Sequence, residues 1–257
     1  MKHIKKKYLL SHNIDKKTYN EIISNTSDID LTNINSRRID EYVPYIISDN
    51  NEVIQCFHYR QNNILYIIPE PNPIVIYFSN AQNFLMLLNK KRESLFESLT
   101  NPQNLNDIMN NMYDFFGFAS NFVTSLFNSL EAYINFEIPN EYKYSKTTPK
   151  KTELYNKEQI QLSIPFDEKI KIVIPEIKKK CFHTEHMKEY KIIIDFKILR
   201  DKIVHTKADA SNSPNYYKDL YTETLEFNYI KSIYAVKDYI NFYSKNLIEK
   251  CDCGANY

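Results

Sequence analysis

A chain of 257 residues, 43% hydrophobic and 25% charged, with 33 Lys/Arg against 32 Asp/Glu, has the composition of a globular protein able to bury a core without disulfides or metals. It holds only 2 glycines, Gly117 and Gly254. Neither stands in a G-x-G-x-x-G or G-x-x-x-x-G-K-[ST] setting, which excludes a Rossmann dinucleotide site and a P-loop as these are normally built, and the scarcity argues against a sandwich or barrel rich in tight glycine turns.

Taken in chain order, residues 1 to about 40 are polar and weakly periodic, with Asp, Asn, Ser and Thr concentrated over 25–36, and read as an irregular lead-in. Residues 42–47, 53–59, 64–68 and 74–78 are short β-branched and aromatic runs separated by Asn- and Pro-rich breaks, a pattern that predicts a small β-meander. Its aromatic residues are able to stack bases, although aromatic strand residues more often face a core. Ser79-Asn80 then offers an N-cap, and a helix is expected over 81–99, ending near Asn101-Pro102. Phe116, Ala119, Val123, Leu126, Leu130, Tyr133 and Ile134 stripe a long helix that stops before Pro139. A Lys- and Thr-rich connector over 143–152 and a short amphipathic turn or helix over 165–174 follow. Ile192, Phe196, Leu199 and Ile203 stripe a helix over about 185–205. After a polar loop containing 211–214, a last long helix is striped by Leu225, Tyr229, Ile233, Val236, Ile240, Tyr243 and Leu247. With no strand expected among them, these helices must bury their stripes against one another. The fold class expected is therefore mainly α, an up-and-down bundle over 80–250 preceded by a lead-in and small β region over 1–79 and followed by a tail over 251–257.

Net charge is +1, which by itself predicts no polyanion partner. Residues 141–207 carry 16 Lys/Arg against 10 Asp/Glu, with 17 against 22 elsewhere; that surplus suits a localised nucleic-acid contact and equally a solvated helix face. The apolar stretch behind the basic start is only Tyr8-Leu9-Leu10, too short for a signal-peptide core, and no run approaches a membrane span. Cys56, Cys181, Cys251 and Cys253 lack framework spacing. A cytoplasmic location with no membrane partner is expected.

The sharpest chemical candidate is Leu199-Arg200-Asp201-Lys202-Ile203-Val204-His205-Thr206-Lys207. Arg200 and His205 close a striped helix, with Asp201 directly after the arginine and Ile203 and Val204 expected on the buried side. Five residues turn an ideal helix through about 140°, so the pair converges only if the helix ends or distorts at His205, or if a second subunit completes the site. The bland alternative is an Arg200–Asp201 ion pair with His205 merely ending the helix.

Arg200-x4-His205, with polar Asp201 beside the arginine, resembles the R-x4–6-H motif of the HEPN (higher eukaryotes and prokaryotes nucleotide-binding) superfamily. The order of elements is also similar over roughly residues 80–250: a long helix ending Leu130-Glu131-Ala132-Tyr133-Ile134-Asn135, then 165–171, the motif helix and a final long helix. The resemblance implies a HEPN-like bundle and a metal-independent endoribonuclease, commonly a homodimer whose two motifs share one cleft. It also implies RNA as substrate and 2′,3′-cyclic phosphate ends, in a toxin, defence or stress-response setting with a possible antitoxin or regulatory partner. In that setting His205 supplies the imidazole that moves protons between the 2′-OH and the leaving 5′-oxygen. Arg200 supplies the guanidinium that meets developing phosphate charge, Asp201 supports it, and Lys202 and Lys207 add RNA contacts. No cofactor and no catalytic metal are expected. Many superfamily members are non-catalytic, so a module binding nucleotide, nucleic acid or a partner protein stands as the alternative.

Other candidates are weaker. Cys181, His183 and His186 with Cys251 and Cys253 offer zinc-ligand chemistry at a spacing that matches no common zinc motif; a loop cluster plus a frayed tail explains them as well. His58 sits in an expected strand. Glu131 and Asn135, four apart on the long helix, suit either the cleft or an interhelical hydrogen bond.

Overall fold

The computed structural model describes residues 2–10, 20–21, 24, 43–48, 52–100, 104–147, 149, 151–207 and 215–254. The expected polar stretch 25–36, the Asn101-Pro102 stop and the loop at 211–214 lie outside them. The chain divides into two compact units, Lys6–Asn72 and Met1–Lys5 with Pro73–Tyr257. It is mainly helical with small antiparallel sheets, and among the described residues no helix is long and apolar enough to cross a membrane.

The smaller unit is an antiparallel sheet of β1 (Tyr45–Ile47), β2 (Val53–Gln61) and β3 (Ile64–Pro69) in that order. Its β2–β3 hairpin closes through Asn62 and Asn63, at φ 51° and 63°. Positive φ at both central residues suits a two-residue turn that matches strand twist, and Asn tolerates it where glycine is otherwise used. Tight turning is thus achieved without glycine. Leu9 joins the unit by donating its N–H to the Glu70 carbonyl at 2.7 Å and accepting from the Gln55 N–H at 3.1 Å. The expectation that the strand aromatics pack into a core is overturned. Phe57, Tyr59 and Tyr66 are exposed, and the register that sets Tyr59 opposite Tyr66 and Phe57 opposite Ile68 places them on one face of the hairpin.

The larger unit begins with α1 (Pro73–Thr100). The run at 74–78, expected as a fourth strand, is helical, and no cap at Ser79-Asn80 starts the helix. Pro73 at the first helical position costs no hydrogen bond. Ile74, Val75, Phe78, Ala81, Gln82 and Leu85 then continue one buried helical stripe, so burial overrides local β propensity. Helix α2 (Leu105–Phe136) is N-capped by Asn104, whose side chain accepts from the Asn106 N–H. It runs antiparallel to α1: Lys91 pairs with Asp114 at 2.8 Å, and the Ser129 hydroxyl donates to the Ile74 carbonyl at 2.8 Å. Ala119, Val123, Leu126, Leu130, Tyr133 and Ile134 are buried as the stripe predicts, while Phe116 packs at the margin.

The Lys- and Thr-rich connector, where no strand was expected, carries a hairpin, β4 (Tyr144–Thr147) with β5 (Thr152–Tyr155). It is held by Glu168, which accepts from the Tyr144 hydroxyl at 2.7 Å and from the Lys146 ammonium at 2.6 Å. Helix α3 (Lys157–Ser163) opens with an Asn156/Gln159 capping box. Then come α4 (Phe166–Glu168), a π-turn over Lys169–Val173, α5 (Ile174–Lys178), α6 (Phe182–Glu185) and α7 (Met187–Val204). The single final helix expected from the sequence is two: α8 (Lys218–Glu226) and α9 (Tyr229–Tyr243). Phe227 leaves helical geometry at φ −63°, ψ 139° and Asn228 caps the restart by accepting from the Lys231 N–H, a competing local hydrogen bond of the kind Asn favours.

Leu126 is fully buried on the face of α2 that joins this core. Leu126→Ala is expected to lower unfolding free energy by about 2–5 kcal/mol, read from urea denaturation; a loss below about 1 kcal/mol would show that this face is not closely packed.

Candidate functional site

The motif lies at the C-terminal end of α7. Ile193, Phe196 and Leu199 are buried there, with Ile192 and Ile203 packed at the margin of the core. Val204, expected on the buried side, is exposed, because the helix stops at that residue. His205 is the C-cap at φ −107°, ψ 41°, and its N–H donates to the Asp201 carbonyl at 3.0 Å.

Arg200 leaves the helix beside the buried Leu199 and lays its guanidinium over the ring of Phe127, with Cζ 4.5 Å from the centroid. Phe127, 2% exposed, also meets Phe166 at 5.0 Å and Phe196 at 6.2 Å between centroids, so one ring of α2 touches α4 and α7. The Arg200 Nη1 donates to Asp201 Oδ1 at 3.0 Å, and Lys197 Nζ donates to Asp201 Oδ2 at 2.9 Å. Among the described residues Arg200 Nε is buried with no hydrogen-bond partner. A guanidinium is thus fixed by a carboxylate on one edge and an aromatic face below, with one donor unused. Burial raises the Asp201 carboxyl, but hydrogen bonds and charge from Lys197 and Arg200 outweigh it and hold the group below the usual carboxylate value.

The remaining motif residues diverge. His205 is exposed, and among the described residues its side chain has no hydrogen-bond or ion-pair partner. Lys202 is paired with Glu223 of α8, so one of the two lysines expected at RNA is engaged within the chain. Lys207 is exposed. The structure gathers Arg200, Asp201 and Lys197 and places His205 at the adjoining helix end without a side-chain contact to them.

A polar seam beside Phe127 was only partly visible in the sequence. Glu131 and Asn135 follow Phe127 at four-residue steps along α2. Asn135 accepts through its carbonyl from Gln161 Nε2 at 3.2 Å, and the Gln161 carbonyl accepts from Lys169 Nζ at 2.7 Å. Lys169 is only 6% exposed. Burial lowers its ammonium below the ordinary lysine value, with the Glu131 charge opposing. Among the described residues Asn135 Oδ1 and Asp167 Oδ1 are buried without hydrogen-bond partners, and buried polar atoms rarely stay unsatisfied without a reason. Gln161, Asp167 and Lys169 carry no motif spacing; the π-turn at Lys169 brings its side chain inward, and π-turns cluster at functional positions.

The cysteine–histidine constellation does not form as one set. Cys181 Sγ lies 3.2 Å from His183 Nδ1, while His186 stacks on Phe182 at 4.9 Å. Cys251 and Cys253 gather instead with His3. His58 pairs across β2–β3 with Ile67 and is half-buried. A cavity of about 230 Å³ lined by residues including Leu88, Arg92, Leu225 and Tyr229 contains none of the motif residues. Compared with protein-family models, curated proteins and solved structures, the chain has no significant match.

Asp201→Asn tests the ion-pair geometry. Because the folded-state value of Asp201 is depressed, its stabilisation is present above the usual carboxylate range and is lost as pH falls through the folded value. The wild type is expected to exceed the variant at pH 7 by less than about 1 kcal/mol, since the side chain is partly exposed. The gap should shrink as pH drops below about 4. Denaturation at both pH values reads it, and a gap that stays constant would contradict the pairing.

Proposed function

We propose that the chain is a HEPN-like endoribonuclease that cleaves RNA without a metal, in a toxin, defence or stress-response setting. The observation that carries this reading is Arg200, a guanidinium fixed over Phe127 and against Asp201, five positions before an exposed His205 at the helix end. A guanidinium held in this way, its side chain still 22% exposed, suits phosphate oxygens as charge develops on them. An exposed imidazole suits proton transfer at the ribose 2′-OH or the leaving 5′-oxygen. Asp201 acts as the positioning residue through Arg200, and Lys207 adds a phosphate contact; Lys202 does so only by leaving Glu223. The reading includes a homodimer, in which a second copy presents the missing partner across a shared cleft, because His205 ends α7 with no side-chain hydrogen bond to Arg200 among the described residues.

A second reading has an observation of its own. Arg200 is engaged by Asp201 and Phe127, and Lys202 by Glu223, as in a purely structural corner of a non-catalytic HEPN-like module that binds nucleotide, nucleic acid or a partner.

The two readings separate on folded variants. Arg200→Ala and His205→Ala are each expected to reduce RNA cleavage by about 10²–10⁴-fold, with unchanged circular dichroism, and EDTA is expected to leave the wild-type rate intact. Equal cleavage by wild type and both folded variants would remove the assignment. His205→Ala is the cleaner of the two, because its side chain is not packed in the core.

A further inference from the structure

We infer that His3, Cys251 and Cys253 form a zinc site that staples residues 2–5 to residues 249–253. Their ligating atoms all lie within 4.8 Å of one another, and His3 Nδ1 is 3.3 Å from Cys253 Sγ. A tetrahedral zinc ion with ordinary Zn–S and Zn–N lengths sets such atoms about 3.5–3.8 Å apart, so closure asks for only small side-chain movements. Two sulfurs and an imidazole are soft and borderline donors, which select zinc over magnesium or calcium. The fourth position is left to water.

The backbone brings these residues together before any ion binds. Ile4 and Lys250 form an antiparallel bridge. The Lys5 N–H donates to the Glu249 carbonyl at 2.8 Å, and the Cys251 N–H donates to the His3 carbonyl at 2.7 Å. Lys5 pairs with Glu249 at 2.7 Å, Ile4 is 1% exposed in the core, and the Lys2 carbonyl accepts from Gln82 Nε2 at 2.9 Å. The Cys253 N–H points at Cys251 Sγ at 3.4 Å, a donor directed at the sulfur a thiolate ligand would use. A Cys-x-Cys pair faces an imidazole about 250 positions away in sequence, a juxtaposition that only the fold produces. Binding replaces the thiol protons with the ion and releases them to solvent. The site shares no residue with the Arg200–His205 motif, and its presence is independent of RNA cleavage.

The test uses the full chain, reduced and stripped with a chelator, then titrated with Co²⁺ and with Zn²⁺ against a chromophoric competitor. One equivalent of Co²⁺ per chain is expected, with a thiolate-to-cobalt charge-transfer band, and Zn²⁺ should raise the melting temperature. Cys251→Ser and Cys253→Ser should each weaken binding on the order of 100-fold or more, and His3→Gln should weaken it measurably. Cys181→Ser should bind as wild type does. The metal-free melting temperature of Cys251→Ser shows that it folds. No charge-transfer band in the wild type, unchanged binding in Cys251→Ser, or loss on Cys181→Ser would each overturn the site.

Discussion

The buried ring of Phe127 joins three parts of the larger unit, since Phe166 and Phe196 pack against it and Arg200 lies across its face. This contact fixes where the end of α7 stands relative to α2, and so where the arginine can point. It works because α2 is long and striped. Its buried residues anchor α1 on one side through Ser129 and Ile74. At its C-terminal end Tyr133 meets the hydroxyl of Ser244, which in turn donates to Glu137. An arginine set on such a rigid aromatic floor loses little freedom when it meets a ligand, a benefit that holds for a catalytic and for a binding role alike.

The electrostatics around that floor differ in kind. Asp201 bridges Lys197 and Arg200 at the surface, where solvent weakens each pair. In the π-turn over Lys169–Val173, Lys169 is buried with its Nζ donating to the Gln161 carbonyl, and the Glu131 charge opposes the lowering of its ammonium by burial. Burying an ammonium is costly, and Lys169, 6% exposed, is buried in a π-turn.

Much of the helical layout was legible because it rests on one signal, the three- and four-residue recurrence of apolar side chains. That recurrence gave α2 its buried stripe from Ala119 to Ile134 and brought the end of α7 to within a residue of His205. The departures have two physical causes, tertiary burial overriding local propensity and local capping interrupting a continuous stripe. Residues 74–78 look like a strand by composition, yet the stripe of α1 runs back through them to Pro73. The hairpin at Tyr144–Tyr155 exists because Glu168, in a later helix, holds Tyr144 and Lys146. The break at Phe227 follows from an Asn228 cap that sits inside an otherwise continuous stripe. In the site, the ends of the motif were visible but its surroundings were not. The Phe127 floor, the Lys169 seam and the meeting of His3 with Cys253 come from residues distant in sequence, which no spacing rule connects.

Whether Arg200 and His205 act on a phosphodiester, as proposed, or merely close a helix is decided by mapping the ends of RNA incubated with the purified chain in chelator, beside His205→Ala. The wild type is expected to leave 2′,3′-cyclic phosphate and 5′-hydroxyl ends, and the variant intact RNA. Cleavage with other ends, or the same ends from the folded variant, would contradict the proposal.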